Sequence, residues 1–157
     1  MKTISLLVTL FIAQSLSAQV SDTITLALTG DIMMGTTYPT VKLPPEDGKL
    51  LFQHVTPILS QADIAAGNLE GTLCDGGTST KRLSKVSYAF RTPVSYAPLL
   101  SIAGYDFLSM ANNHVNDFGD EGISSSMSAL DANGIKYAGI KGRCNWSIIE
   151  KDGRRYG

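Results

Sequence analysis

Short apolar runs alternate along the chain with stretches in which apolar residues recur every three or four positions. This alternation predicts strand–helix–strand units. Ile24–Leu28 is apolar and stops at Thr29-Gly30-Asp31, which predicts a strand buried on both faces. Leu50, Leu51, Val55, Ile58, Leu59 and Ala62 fall at helical spacing, with Pro57 expected to kink or shorten the helix. Asp63–Ala66 reads as a second strand ending at Gly67-Asn68-Leu69-Glu70-Gly71, and residues 75–87 as a polar surface excursion. Tyr88–Phe90 suggests a short strand. Thr92-Pro93 is a helix start signal for a helix running to Ala103 and stopping at Gly104. Tyr105–Met110 is the third strand. Ile123, Met127 and Leu130 mark one face of a further helix that stops at Gly134, and Ile135–Ala138 is the fourth strand. Trp146–Glu150, Asp152-Gly153 and Arg154–Tyr156 read as a hairpin. The fold class is α/β with a parallel or mixed sheet and flanking helices.

The first 18 residues stand outside this pattern. Met1-Lys2 is a positive start, Ile4–Ala13 an apolar run, and Gln14–Ala18 small and polar. That order is the order of a secretory signal peptide. The run is too short to span a membrane as a helix, which needs about 20 residues. A buried strand or an uncleaved anchor is the other reading. Cleavage after Ala18 leaves residues 19–157 as the mature chain, secreted or periplasmic, with membrane contact only through the export signal. Export makes a Cys74–Cys144 disulfide permissible, while two free thiols are equally open.

Composition narrows the classes further. The chain has 157 residues, a formal net charge of −1 and 17% charged residues, and no Lys/Arg cluster, so nucleic acid is not an expected partner. Lys81, Arg82, Lys85 and Arg91 give the loop before the second helix a modest positive bias, which would suit polyglutamate or phosphate; a solvated loop is the plainer reading. His54 is given no role, and Met33-Met34 reads as core. No phosphate-loop or GxGxxG pattern opens a helix, which argues against a nucleotide-binding domain.

The chemistry gathers at three strand ends: Thr29-Gly30-Asp31, Gly67-Asn68-Leu69-Glu70-Gly71 and Asn112-Asn113-His114. In an open α/β sheet, ligands bind outside the carboxyl ends of the strands. Asp31, Asn68, Glu70, Asn113 and His114 are therefore expected to meet at one edge. Turn-capping accounts for each of them singly; the coincidence of three ends favours a site. A set rich in oxygen with one imidazole suits Mg, Mn, Fe or Zn, with His114 as ligand or general acid.

At these residues the chain resembles the capsule-synthesis CapA, or poly-γ-glutamate biosynthesis, family of the calcineurin-like metallophosphatases. The matching segments are TGDIMMG (29–35), ADIAAGNLEGTL (62–73), YAFRTP (88–93), AGYDFLSMANNHVNDFG (103–119) and LDANGIKYAGI (130–140). The resemblance implies a metallophosphatase-like sandwich with Asp31, Asn68, Glu70 and Asn113 as metal ligands and His114 as the catalytic acid. Met33 stands where a ligand His is usual, and Val115 where an Asp would orient the histidine. The resemblance also implies further strands and His-bearing motifs, so residues 19–157 are expected to be the N-terminal part of a larger domain, lacking its C-terminal half and inactive alone. Two functions follow: a metal-dependent, phosphoesterase-like hydrolase of capsule metabolism, or a non-catalytic accessory that binds an anionic extracellular polymer or capsule synthase components.

Overall fold

The structure, a computed structural model, describes residues 23–157 apart from Leu83, Lys85 and Val86. The expected signal peptide and the start of the mature chain lie outside the described residues. Four parallel strands form the main sheet in the order β1 (Leu26–Ile32), β2 (Ile64–Leu69), β5 (Phe107–Ser109), β6 (Lys136–Ala138). Between them come helix α1 (Thr56–Leu59), the two-stranded parallel pair β3 (Thr72–Leu73) and β4 (Arg91–Thr92), α2 (Ala97–Ala103) and α3 (Gly119–Ala132). A hairpin, β7 (Ile149–Lys151) and β8 (Arg154–Tyr156), follows. The α/β class and the parallel sheet are those expected, and they are compatible with part of a metallophosphatase-like fold.

Aspartates fasten the strand starts. Asp63 Oδ2 accepts the Thr25 backbone N–H at 2.7 Å and its hydroxyl at 2.6 Å, and Asp106 Oδ2 accepts the Ala65 N–H at 2.8 Å. The core lies on one face of the sheet, where Ala65, Leu108 and Tyr137 pack with Leu59, Leu100, Ala103, Ile123 and Leu130. Fully burying one such leucine stabilises by about 1.5–3 kcal/mol. Ser126 ties α3 to β3: its Oγ donates to Gly122 O and accepts the Leu73 N–H, both at 2.9 Å. Among the described residues no helix is long and apolar enough to cross a membrane.

Several local expectations are corrected. β1 is not buried on both faces, because it is an edge strand and the helices cover one side; Leu26 and Leu28 are 57% and 73% exposed. β1 also continues past Thr29-Gly30. One extra residue bulges between Leu28 and Asp31, so Leu28 pairs with Ala66 and Asp31 with Asn68. The helix expected over Leu50–Ala62 shrinks to α1. Pro57 has no N–H to bond back to Gln53, so it sits in the first turn, preceded by turns from Gly48 onward. Thr92 lies in β4 rather than capping a helix, and its hydroxyl donates to Gly35 O at 2.8 Å. A 3-10 turn at Val94–Tyr96 leads into α2, and Asp75 Oδ1 accepts the Val94 N–H at 3.0 Å. Gly104 stops α2 as expected, at φ 101°. The strand expected at Tyr88–Phe90 falls instead at Arg91–Thr92, where carbonyls and amides pair with β3.

Candidate functional site

Asp31, Asn68 and Glu70 meet where β1 and β2 end. The bulge brings Asp31 level with Asn68, and Glu70, two residues on, shares Asn68's face. The Asn68 Nδ2 donates to Asp31 Oδ1 and to Glu70 Oε2, both at 2.8 Å. Two carboxylates from neighbouring strands therefore converge on one amide nitrogen.

The amide's orientation is imposed from behind by Asn112. Its Oδ1 accepts the His114 backbone N–H at 2.9 Å, and its Nδ2 donates to Leu69 O at 2.8 Å. With both ends fixed by backbone groups, the Asn112 Nδ2 also donates to Asn68 Oδ1 at 3.0 Å. The Asn68 oxygen is thus held toward Asn112 and its N–H groups toward the carboxylates.

His114 follows β5 in the turn after Asn112. Its ring is buried, tilted at 39° against Phe90 with centroids 4.5 Å apart. Nε2 faces Glu70 Oε1 at 3.7 Å, and Nδ1 lies 2.8 Å from Asp117 Oδ2. Asp117 is 0% exposed and also accepts the Phe90 N–H at 2.7 Å. Lys81 reaches in from the polar excursion and sets its Nζ 2.6 Å from Asp117 Oδ1 and 3.2 Å from His114 Nδ1.

Of the five residues expected at this edge, Asp31, Asn68, Glu70 and His114 come together. Asn113 lies at the adjoining turn with its side chain exposed, and Asn112 makes the inward contacts. Sequence reading missed Asn112, Asp117 and Lys81. The carboxylate beside the His114 imidazole comes from Asp117 rather than from position 115, where Val115 packs against the core. Lys81 is no solvated loop cation. Nor is Arg91, whose guanidinium lies over the Tyr38 and Phe118 rings at 5.6 and 5.4 Å while its Nε donates to Thr37 Oγ1 at 3.0 Å. Cys74 and Cys144 are free thiols, and burial pushes the Cys74 thiol up to about 11, which leaves it a poor nucleophile at neutral pH.

The donor chemistry suits a hard divalent cation in kind: two carboxylates and an imidazole at one strand edge. Among the described residues, however, no group of three or more His, Cys, Asp or Glu is spaced to hold an ion. Asn68 presents N–H groups rather than its oxygen to the carboxylates.

A parallel sheet with polar side chains gathered at the carboxyl ends of adjacent strands defines an α/β protein with a candidate site where open sheets bind ligands. Residues 25–155 match the family described as bacterial capsule synthesis protein PGA_cap, and the chain belongs to that family. It is similar to the capsule biosynthesis protein CapA of Bacillus anthracis, at 24% identity over 119 residues, which cover 76% of this chain and 29% of that one. It is also similar to two uncharacterised Sinorhizobium fredii proteins, y4sH and y4uA, at 30% and 29% identity over 132 residues, 82% of this chain and 27% of each of theirs. The chain spans less than a third of the length of these relatives.

Proposed function

We propose that this chain is an exported component of capsule or poly-γ-glutamate formation whose β1–β2 edge binds a divalent cation (Mn, Zn, Fe or Mg) and serves a metal-dependent, hydrolase-like activity. Membership of the capsule synthesis family supports the process. The observation that carries the site is the convergence of Asp31 and Glu70 on a single nitrogen, with the His114 imidazole beside Glu70. Two carboxylates held that close repel one another, and a positive centre between them relieves the repulsion. Asp31 and Glu70 would hold the ion, Asn68 would join them by turning its amide oxygen inward, and exposed Asn113 is a further oxygen donor. Bound there, the ion supplies Lewis-acid polarisation of a substrate oxygen. His114 is the group of this chain suited to move a proton at the same place.

Equilibrium binding of Mn2+ to the chain tests this. Binding should weaken at least tenfold in Asp31→Ala and in Glu70→Ala. Affinity unchanged in both variants overturns the site.

A second reading is favoured by the Asn68 orientation. Its N–H groups already satisfy both carboxylates without a cation. On that reading the chain is a non-catalytic accessory that binds an anionic extracellular polymer or a synthase component. Binding of polyglutamate that survives EDTA supports it, and binding abolished by EDTA counts against it.

A further inference from the structure

We propose that the cavity between the 36–42 turn and the 87–90 segment binds an acidic sugar, a hexose ring carrying one carboxylate. None of its lining residues belongs to the Asp31–Glu70 edge, and the inference holds whether or not a cation binds there.

The cavity has a volume of 390 Å³, within the range of about 300–1,000 Å³ usual for small-ligand sites. One wall is the turn, closed by the Thr36 N–H to Lys42 O at 3.0 Å and the Lys42 N–H to Thr36 O at 2.8 Å. Its Tyr38 ring stands edge-on to Phe118, with centroids 5.3 Å apart, and carries the Arg91 guanidinium over it. The other wall has the Tyr88 and Phe90 rings, parallel to within 6° with centroids 6.2 Å apart. The Phe90 N–H donates to buried Asp117 at 2.7 Å, and its ring packs on His114. Both walls are therefore held by the chain itself, without a ligand.

The lining selects the ligand. Aromatic faces carry negative potential and take the weakly positive C–H groups on the flat side of a pyranose. Tyr88 is 56% exposed, which leaves ring surface for that contact. The Thr40 and Ser87 hydroxyls and the Lys42 ammonium border the same space. A hydroxyl both donates and accepts, as the hydroxyls around a sugar ring require. Among the described residues no carboxylate lines the cavity and none pairs with Lys42. An ammonium without a counterion beside aromatic walls calls for one anionic group on the ligand.

The same count disfavours a polyglutamate chain, whose carboxylate on every residue needs a row of cations. Nearby Lys81 is committed to Asp117, and Arg91 to the Tyr38 and Phe118 rings. Phe90 borders the cavity and also packs on His114, so a sugar held here would lie next to the strand-edge site.

The experiment is titration of the chain with trigalacturonate in EDTA, followed by 1H–15N chemical shifts, so that no metal enters the result. The amides of Thr40, Lys42, Tyr88 and Phe90 should shift, and the carboxyl-reduced trisaccharide should bind about tenfold more weakly. Lys42→Ala should also weaken binding about tenfold, and Tyr88→Ala about fivefold. Lys42 serves the turn through its backbone, and the Tyr88 ring is exposed, so both variants keep the fold. No shift at these amides with millimolar trisaccharide, or affinity unchanged in both variants, overturns the site. Tri-γ-glutamate bound as tightly, and weakened by the same two substitutions, overturns the sugar as its occupant. Binding lost in Asp31→Ala but kept in Lys42→Ala would place the sugar at the strand edge and equally overturn the proposal. Mn2+ binding is measured separately, so the cation reading and this one fail independently.

Discussion

Gly67 of β2 has no room for a side chain, and adding one methyl group there should strain the candidate site. A Cβ on Gly67 would strike Thr29 Oγ1, come within 2.7 Å of Ile32 Cδ1 and reach 3.3 Å from Tyr105 Cε1. Thr29 is not free to retreat, since its hydroxyl shares a hydrogen bond with Tyr105 OH at 3.2 Å. Overpacking of this kind costs about 1–3 kcal/mol. Losing the Thr29–Tyr105 bond adds about 1 kcal/mol. The narrower unfolded ensemble of alanine returns only about 0.4–1 kcal/mol. Gly67→Ala should therefore destabilise the chain by roughly 1–3.5 kcal/mol, and Tm moves about 2–4 °C per kcal/mol at this length. Urea denaturation followed by circular dichroism measures it, and a double-mutant cycle isolates the cause. Thr29→Ala removes the struck oxygen, so the double variant should be more stable than the sum of the single effects by about 1 kcal/mol. Strict additivity, or a neutral Gly67→Ala, would refute the steric reasoning.

Two further predictions concern titrating groups. Hydrogen bonds from Thr25 hold the Asp63 carboxyl below its ordinary value of 3.8, so its contribution is present above that value and is lost as pH falls through the lower folded value. The Tm difference between the unsubstituted chain and Asp63→Asn should accordingly be largest near neutral pH and close as the pH drops below 3.8, whereas a difference independent of pH would contradict the clasp. Ellman's reagent at pH 8 should modify Cys144 quickly and the buried Cys74 only on unfolding; equal rates for the two thiols would contradict the placement of Cys74.

Much of the β1–β2 edge was legible because open-sheet topology brings successive strand ends together wherever the intervening chain goes. Asp31, Asn68, Glu70 and His114 needed only that rule. Asp117 and Lys81 escaped it for different reasons. Asp117 is tied to His114 by a tight turn rather than by sheet register, and the i, i+3 spacing of the pair was the available signal. Lys81 lies 33 positions from His114 within a polar excursion, and nothing local distinguishes a lysine that folds back onto a buried carboxylate from one that points into water. Helical spacing over Leu50–Ala62 was overruled by a single missing N–H at Pro57. The exposed face of β1 depends on how many layers cover the sheet, which a run of apolar residues does not encode.

The bulge in β1 has a consequence for reading this family by descent. Neighbouring residues of a regular strand point to opposite faces, yet Leu28 and Asp31, three apart, both face the side of Ala66 and Asn68, because the bulge absorbs one residue of the count. With the extra residue, Asp31 stands beside Asn68. Loss of one codon in that interval would remove the bulge and leave the Asp paired with Asn68 in regular register, on the same side. A one-residue gap placed there when related genes are aligned is therefore a lost bulge and not a change of side, and the carboxylate can be kept at the site by two different spacings to the preceding strand residues.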